Sequence, residues 1–115
     1  MNEFKKDDSD KCPLELVDPR FIQGVGWVLS LGAKKYGRAN WKNASLEDIE
    51  RVKGAMMRHQ LAYMDGEIFD KESGLNHMYH VATNAMFLAY YDRHKGGLSS
   101  ERVECNYEDG SLFEK

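Results

Sequence analysis

A chain of 115 residues, 42% hydrophobic and 30% charged, has material for one modest core and the composition of a globular protein rather than a wholly disordered one. A net charge of -3 excludes the global basic field that gathers nucleic acid polymers or coats an anionic membrane. Cys12 and Cys105 form no CxxC pair, which argues against a thiolate zinc site or a disulfide framework. The N-terminus lacks the apolar core of a signal peptide, and no window approaches the roughly 18 apolar residues of a membrane helix. The expectation is a cytoplasmic protein with no membrane partner.

Residues 1–13 are mostly charged and polar, and read as a flexible N-terminal segment ahead of a helical domain over 14–97. Asp18-Pro19 reads as an N-cap and a first-turn proline. Phe21, Ile22, Val25, Val28, Leu29 and Gly32 then keep helical spacing, which predicts a helix over about 18–33. Gly24 and Gly26 weaken that helix but permit close approach of another. GAKKYGRANWKNAS follows as a predicted loop.

Ser45-Leu46-Glu47-Asp48 resembles a capping box and opens a second helix over about 46–66, with Ile49, Val52, Met56 and Tyr63 on its apolar side. DGEIFDKESG holds two glycines and several side chains that compete for backbone hydrogen bonds, so a break falls within it. A third helix over about 73–94 carries Leu75, Met78, Val81, Ala82, Ala85, Met86 and Ala89. Residues 98–115 read as a polar C-terminal tail. No segment alternates like a strand, so the fold class is all-α: a small helical bundle of three main helices.

The chemistry concentrates between Arg58 and Asn84. His59, Tyr63, Glu67 and Asp70 share one face if the second helix persists through Gly66, and His77, His80, Asn84 and Tyr91 form a stripe on the third. Unpaired polar groups at such positions cost several kcal/mol in total, so the two stripes must satisfy one another or hold a ligand. Glu67 and Asp70 suit a hard cation such as Mg²⁺ or Mn²⁺, while the imidazoles raise affinity for Mn²⁺, Fe²⁺ or Zn²⁺. Arg58 can reach a phosphate or pair with Glu67 or Asp65. Upstream, Lys34, Lys35, Tyr36, Arg38, Asn40, Trp41 and Lys42 can embrace a polyphosphate and stack on a base, or form a solvated loop whose Trp41 plugs the core.

GAKKYGRANW, followed by RHxxAxxxGExxDxESGxxHxxHxxxN over Arg58 to Asn84, resembles the phage and bacterial family called dATP/dGTP diphosphohydrolase, N-terminal domain. That family is in turn similar to the all-α MazG-like nucleoside triphosphate pyrophosphohydrolases. The resemblance implies a bundle completed as a homo-oligomer, a dimer or tetramer. It also implies Mg²⁺-dependent (or Mn²⁺-dependent) hydrolysis of a deoxynucleoside triphosphate, dGTP or dATP, to the monophosphate and pyrophosphate, in nucleotide-pool control. On this resemblance Glu67 and Asp70 are metal-binding acids, and Glu72 is a further ligand or general base. His77 and His80 stand where MazG-type enzymes carry a second acidic pair, and complete the metal set. Lys34, Lys35 and Arg58 contact phosphates; Asn40, Trp41 and Asn84 frame the sugar or base; Tyr36 and His59 join the substrate-binding set.

Two other readings compete. A zinc or iron phosphohydrolase would use the histidines, although the adjacent His-Asp pair of that class is missing from the sequence. A non-catalytic helical interaction protein would use the polar stripes to set helix register.

Overall fold

The computed structural model describes residues 10–95. The segments 1–9 and 96–115 lie outside the described residues, and with them most of the N-terminal segment and the whole C-terminal tail expected from the sequence. A 3₁₀ turn at Leu14–Leu16 leads into α1 (Pro19–Tyr36), a second 3₁₀ turn at Asn40–Asn43, α2 (Leu46–Met64) and α3 (His77–Lys95). Among the described residues there is no strand, only one antiparallel bridge between Phe69 and Asn76. The all-α expectation holds.

Local chemistry sets the helix starts. The Asp18 carboxylate accepts from the Arg20 N–H at 3.1 Å, with Pro19 in the first turn. At α2 the capping box is complete: Asp48 N–H donates to Ser45 Oγ at 3.2 Å, and Ser45 N–H to the Asp48 carboxylate at 3.1 Å.

Three boundaries differ from expectation. α1 runs on through Lys34, Lys35 and Tyr36, because cations suit the negative end of a helix and Gly37, at φ 100°, supplies the stop. α2 ends at Met64 rather than 66, since Gly66 takes φ 103° and leaves the helical path. α3 begins at His77 rather than 73, where the Asn76 side chain accepts from the Met78 N–H at 2.8 Å and acts as its cap. Glu67 and Asp70 therefore stand on the loop between α2 and α3, not on an extended α2.

α3 is the element against which α1, α2 and the second 3₁₀ turn all pack. On one side Phe21 meets the Tyr79 ring edge-on at 5.3 Å, and Gly24 lies against the same ring. At the far end Trp41 stacks on Phe87 (4.8 Å) and meets Tyr90 (4.9 Å), while the Tyr91 hydroxyl donates to the Trp41 carbonyl at 2.7 Å. Within the described residues burial is thin. Ala44 and Tyr91 are the buried hydrophobics, beside the polar His77 and Thr83. No described helix is long and apolar enough to cross a membrane.

Candidate metal and nucleotide site

The loop between α2 and α3 is a closely bonded connection. Gly66 and Gly74 adopt positive φ (103° and 77°), the turns that only glycine takes without strain. The Asp70 N–H donates to the Leu75 carbonyl at 2.8 Å, and His77 N–H to the Ile68 carbonyl at 2.9 Å. Ser73 N–H donates to the Asp70 carboxylate at 2.8 Å, and Gly74 N–H to the Asp70 carbonyl at 2.7 Å. This framework fixes Glu67 and Asp70 beside the first turn of α3 and the later turns of α2.

There the side chains converge. The Nδ1 atoms of His59 and His77 lie 2.8 Å apart, and His77 Nε2 lies 3.1 Å from the Glu67 carboxylate. His59 stacks on His80 with ring centres 4.2 Å apart and planes 6° apart. His80 Nε2 bonds Ser73 Oγ at 2.8 Å and lies 3.9 Å from the Asp70 carboxylate. One ligand atom each from His59, Asp70 and His77 falls within a mutual 4.8 Å. Two nitrogens and a carboxylate oxygen, convergent and from one buried and two half-buried residues, are a donor set that fits a divalent cation. Glu67, assigned as a ligand from sequence, engages the opposite nitrogen of His77.

Charge states follow from surroundings. Burial lowers the pKa of His59 against the partial opposition of Asp70, and burial likewise lowers that of His80. Both rings are thereby favoured in the neutral form that binds metal. Burial by itself raises the Asp70 pKa, but hydrogen bonds from the Ser73 backbone and hydroxyl, with the nearby His80 and His59, outweigh it and the net shift is downward. Asp70 is ionised at neutral pH.

The cluster forms one wall of a cleft of about 440 Å³. His59, Asp70, Glu72, Ser73 and His80 make the polar wall; Val28, Leu31, Gly32, Lys35 and Tyr36 of α1 face them. Lys35 lies 3.9 Å from Glu72 across the opening, with both side chains largely exposed.

Of the residues singled out from sequence, the structure brings Lys35, Tyr36, His59, Asp70, Glu72 and His80 to this cleft, with Glu67 and His77 directly behind. Others sit elsewhere. Lys34, Arg38 and Trp41 line a separate hollow of about 470 Å³ with Gly26, Leu29, Ser30 and Ala33. Asn40 and Trp41 border a smaller one with Phe87. The Arg58 guanidinium folds back along α2, close over Gly54, and makes no ion pair with Asp65 or Glu67. Asn84 donates to the carbonyl of His80 at 3.0 Å, which braces its own helix. Sequence reasoning missed Ser73, whose hydroxyl links the loop to His80 while accepting from Leu75 N–H at 3.1 Å. It also missed Val28 and Leu31 as cleft residues. Val28 belonged to the helical spacing read from the sequence and Leu31 did not; the partner that faces them was visible for neither.

Against known proteins, the family described as dATP/dGTP diphosphohydrolase, N-terminal, matches residues 1–101. The chain belongs to that family. It is 45% identical over 83 residues to a protein of Salmonella phage PMBT28 named dATP/dGTP diphosphohydrolase. That match covers 72% of this chain but only 28% of the phage protein. No solved structure matches the chain.

Proposed function

We propose that the chain forms the metal-holding and nucleotide-holding part of a deoxynucleoside triphosphate diphosphohydrolase. Water and a dNTP, with dGTP and dATP the candidates, would give the monophosphate and pyrophosphate. The observation that carries this reading is the cleft, which sets an apolar, cation-bearing face of α1 opposite a convergent His/carboxylate cluster. The name of the phage relative supports the substrate class.

Each wall has a task. Val28, Leu31 and Tyr36 offer apolar and aromatic surface on which a base can rest. Lys35, on an otherwise apolar helix face, is placed to meet a phosphate. Asp70, His59 and His77 hold the cation, Glu67 orienting His77 from behind. When bound, a divalent ion supplies neutralisation of phosphoryl charge and an acidified water. Asp70 has its carboxylate engaged by Ser73 and the cluster, which leaves Glu72, paired among the described residues only with the exposed Lys35 at 3.9 Å, as the carboxylate on this cleft to take a proton from the attacking water.

Homo-oligomerisation belongs to the same proposal. Ile22 of α1 and Met57, Leu61 and Met64 of α2 are all more than half exposed, a cost that a second copy of the chain would relieve. Sedimentation of a species no larger than the monomer at working concentration would remove this part.

The enzymatic reading is tested by pyrophosphate release from each common dNTP, with Mg²⁺ and with Mn²⁺. Turnover of a purine dNTP, lost in Asp70→Asn and strongly slowed in Glu72→Gln, is the expected result. If neither ion supports turnover of any nucleotide, the chain by itself is not a hydrolase.

A further inference from the structure

The pattern of protons around His77 constrains the metal site beyond its residue list. An ionised carboxylate only accepts hydrogen bonds, so His77 Nε2, 3.1 Å from Glu67, carries the ring's proton. A ring that carries only that proton has a bare Nδ1, and this atom of His77 lies 2.8 Å from Nδ1 of His59. Without a cation, His59 fills the gap by donating its Nδ1 proton. Shifting that proton to Nε2 of the same ring leaves two bare Nδ1 atoms 2.8 Å apart, and one nitrogen of each ring stands within 4.8 Å of an Asp70 carboxylate oxygen. Two ring nitrogens this close can share either a proton or a cation.

We infer that the chain's metal site is a two-histidine, one-carboxylate face made by His59 Nδ1, His77 Nδ1 and Asp70, that it selects Mn²⁺ or Fe²⁺ over Mg²⁺, and that Glu67 is a positioning residue. The inference deepens the proposed hydrolase, whose divalent ion it specifies. Mg²⁺ demands a nearly all-oxygen shell and sheds water reluctantly, so two imidazoles are poor replacements for its ligands. A three-donor face of two histidines and a carboxylate, with open positions remaining, suits Mn²⁺ and Fe²⁺. His80 stays off the metal because its Nε2 is committed to Ser73 Oγ at 2.8 Å and its ring lies flat on that of His59. Glu67 fixes the tautomer and orientation of His77, the usual task of a carboxylate behind a ligating imidazole.

The test is Mn²⁺ binding to the purified full chain, followed by electron paramagnetic resonance, with Mg²⁺ as competitor. One bound Mn²⁺ is expected, displaced only by roughly a hundredfold or greater excess of Mg²⁺. Pulsed spectra should resolve nitrogen couplings from two imidazoles. His80→Gln should keep both couplings, and His59→Gln should keep one. Glu67→Ala should weaken Mn²⁺ binding about 10- to 100-fold with both couplings intact, and Glu67→Gln, which retains an acceptor, should recover part of the loss. Displacement by equimolar Mg²⁺, spectra without nitrogen coupling, or loss of a coupling in His80→Gln would each overturn the assignment. The wild-type and His80→Gln spectra decide the matter even if His59→Gln does not fold. A two-nitrogen site without pyrophosphate release would leave this inference standing and remove the hydrolase. Turnover with Mg²⁺ and no nitrogen coupling would do the reverse.

Discussion

Gly24 of α1 lies directly against the ring of Tyr79 on α3: a Cβ built on Gly24 would stand 2.5 Å from three ring carbons. This contact sets how closely α1 approaches α3, and so how wide the cleft between α1 and the histidine cluster stands.

Gly24→Ala should destabilise the chain. Alanine favours the helix by up to about 1 kcal/mol, but forcing the ring aside costs about 1–3 kcal/mol. Gly26 meets nothing within 4 Å, so Gly26→Ala should instead stabilise, by about 0.5–1 kcal/mol. Thermal denaturation of the two variants should move Tm in opposite directions. Equal gains in both would mean that α1 does not bear on Tyr79.

Tyr91→Phe removes the bond that ties α3 to the Trp41 turn. The lost donor leaves the Trp41 carbonyl short of a partner at the edge of the core, a cost of about 1 kcal/mol. The urea midpoint should fall with the m-value unchanged. An unaltered midpoint would show that water replaces the hydroxyl at no cost.

Lys34 and Lys35 are adjacent but line different hollows, and only Lys35 borders the cleft. If that cleft takes a triphosphate, Lys35→Gln should raise KM roughly tenfold, the low end of a charge-assisted contact at an exposed position. Lys34→Gln should leave KM within about twofold by the same argument. Steady-state kinetics of the pair check this, and an equal effect from both would place the phosphates elsewhere.

Acid should weaken the chelator-treated protein ahead of any general acid unfolding. Burial lowers the folded-state pKa values of His59 and His80, while unfolded histidines titrate near about 6.5. Between the two values the unfolded chain binds more protons than the folded one, so stability rises with pH and falls as pH drops. Tm should therefore decline from about pH 7.5 to 5.5, and His80→Gln should show a shallower decline. A flat profile would mean that the rings titrate alike in both states.

The sequence by itself determined the helix starts at Asp18-Pro19 and Ser45–Asp48, because a cap is satisfied within three residues along the chain. It also marked Arg58–Asn84 as the chemical segment and a break within DGEIFDKESG, since glycine and competing side chains act locally. Which partners those residues take lies beyond local reach. His59 and His77 are 18 positions apart, and their nitrogens meet only because α2 and α3 pack at one particular rotation. The positive φ of Gly66 moves Glu67 and Asp70 off the α2 face, so the four-residue spacing from His59 through Tyr63 does not continue to them. The same holds upstream, where a further turn of α1 sends Lys34 and Lys35 to different hollows. The motif residues were legible as a set. Their division into a convergent histidine–carboxylate cluster, the carboxylate behind it, a cleft wall and an aromatic contact on α3 was decided by helix rotation and loop closure.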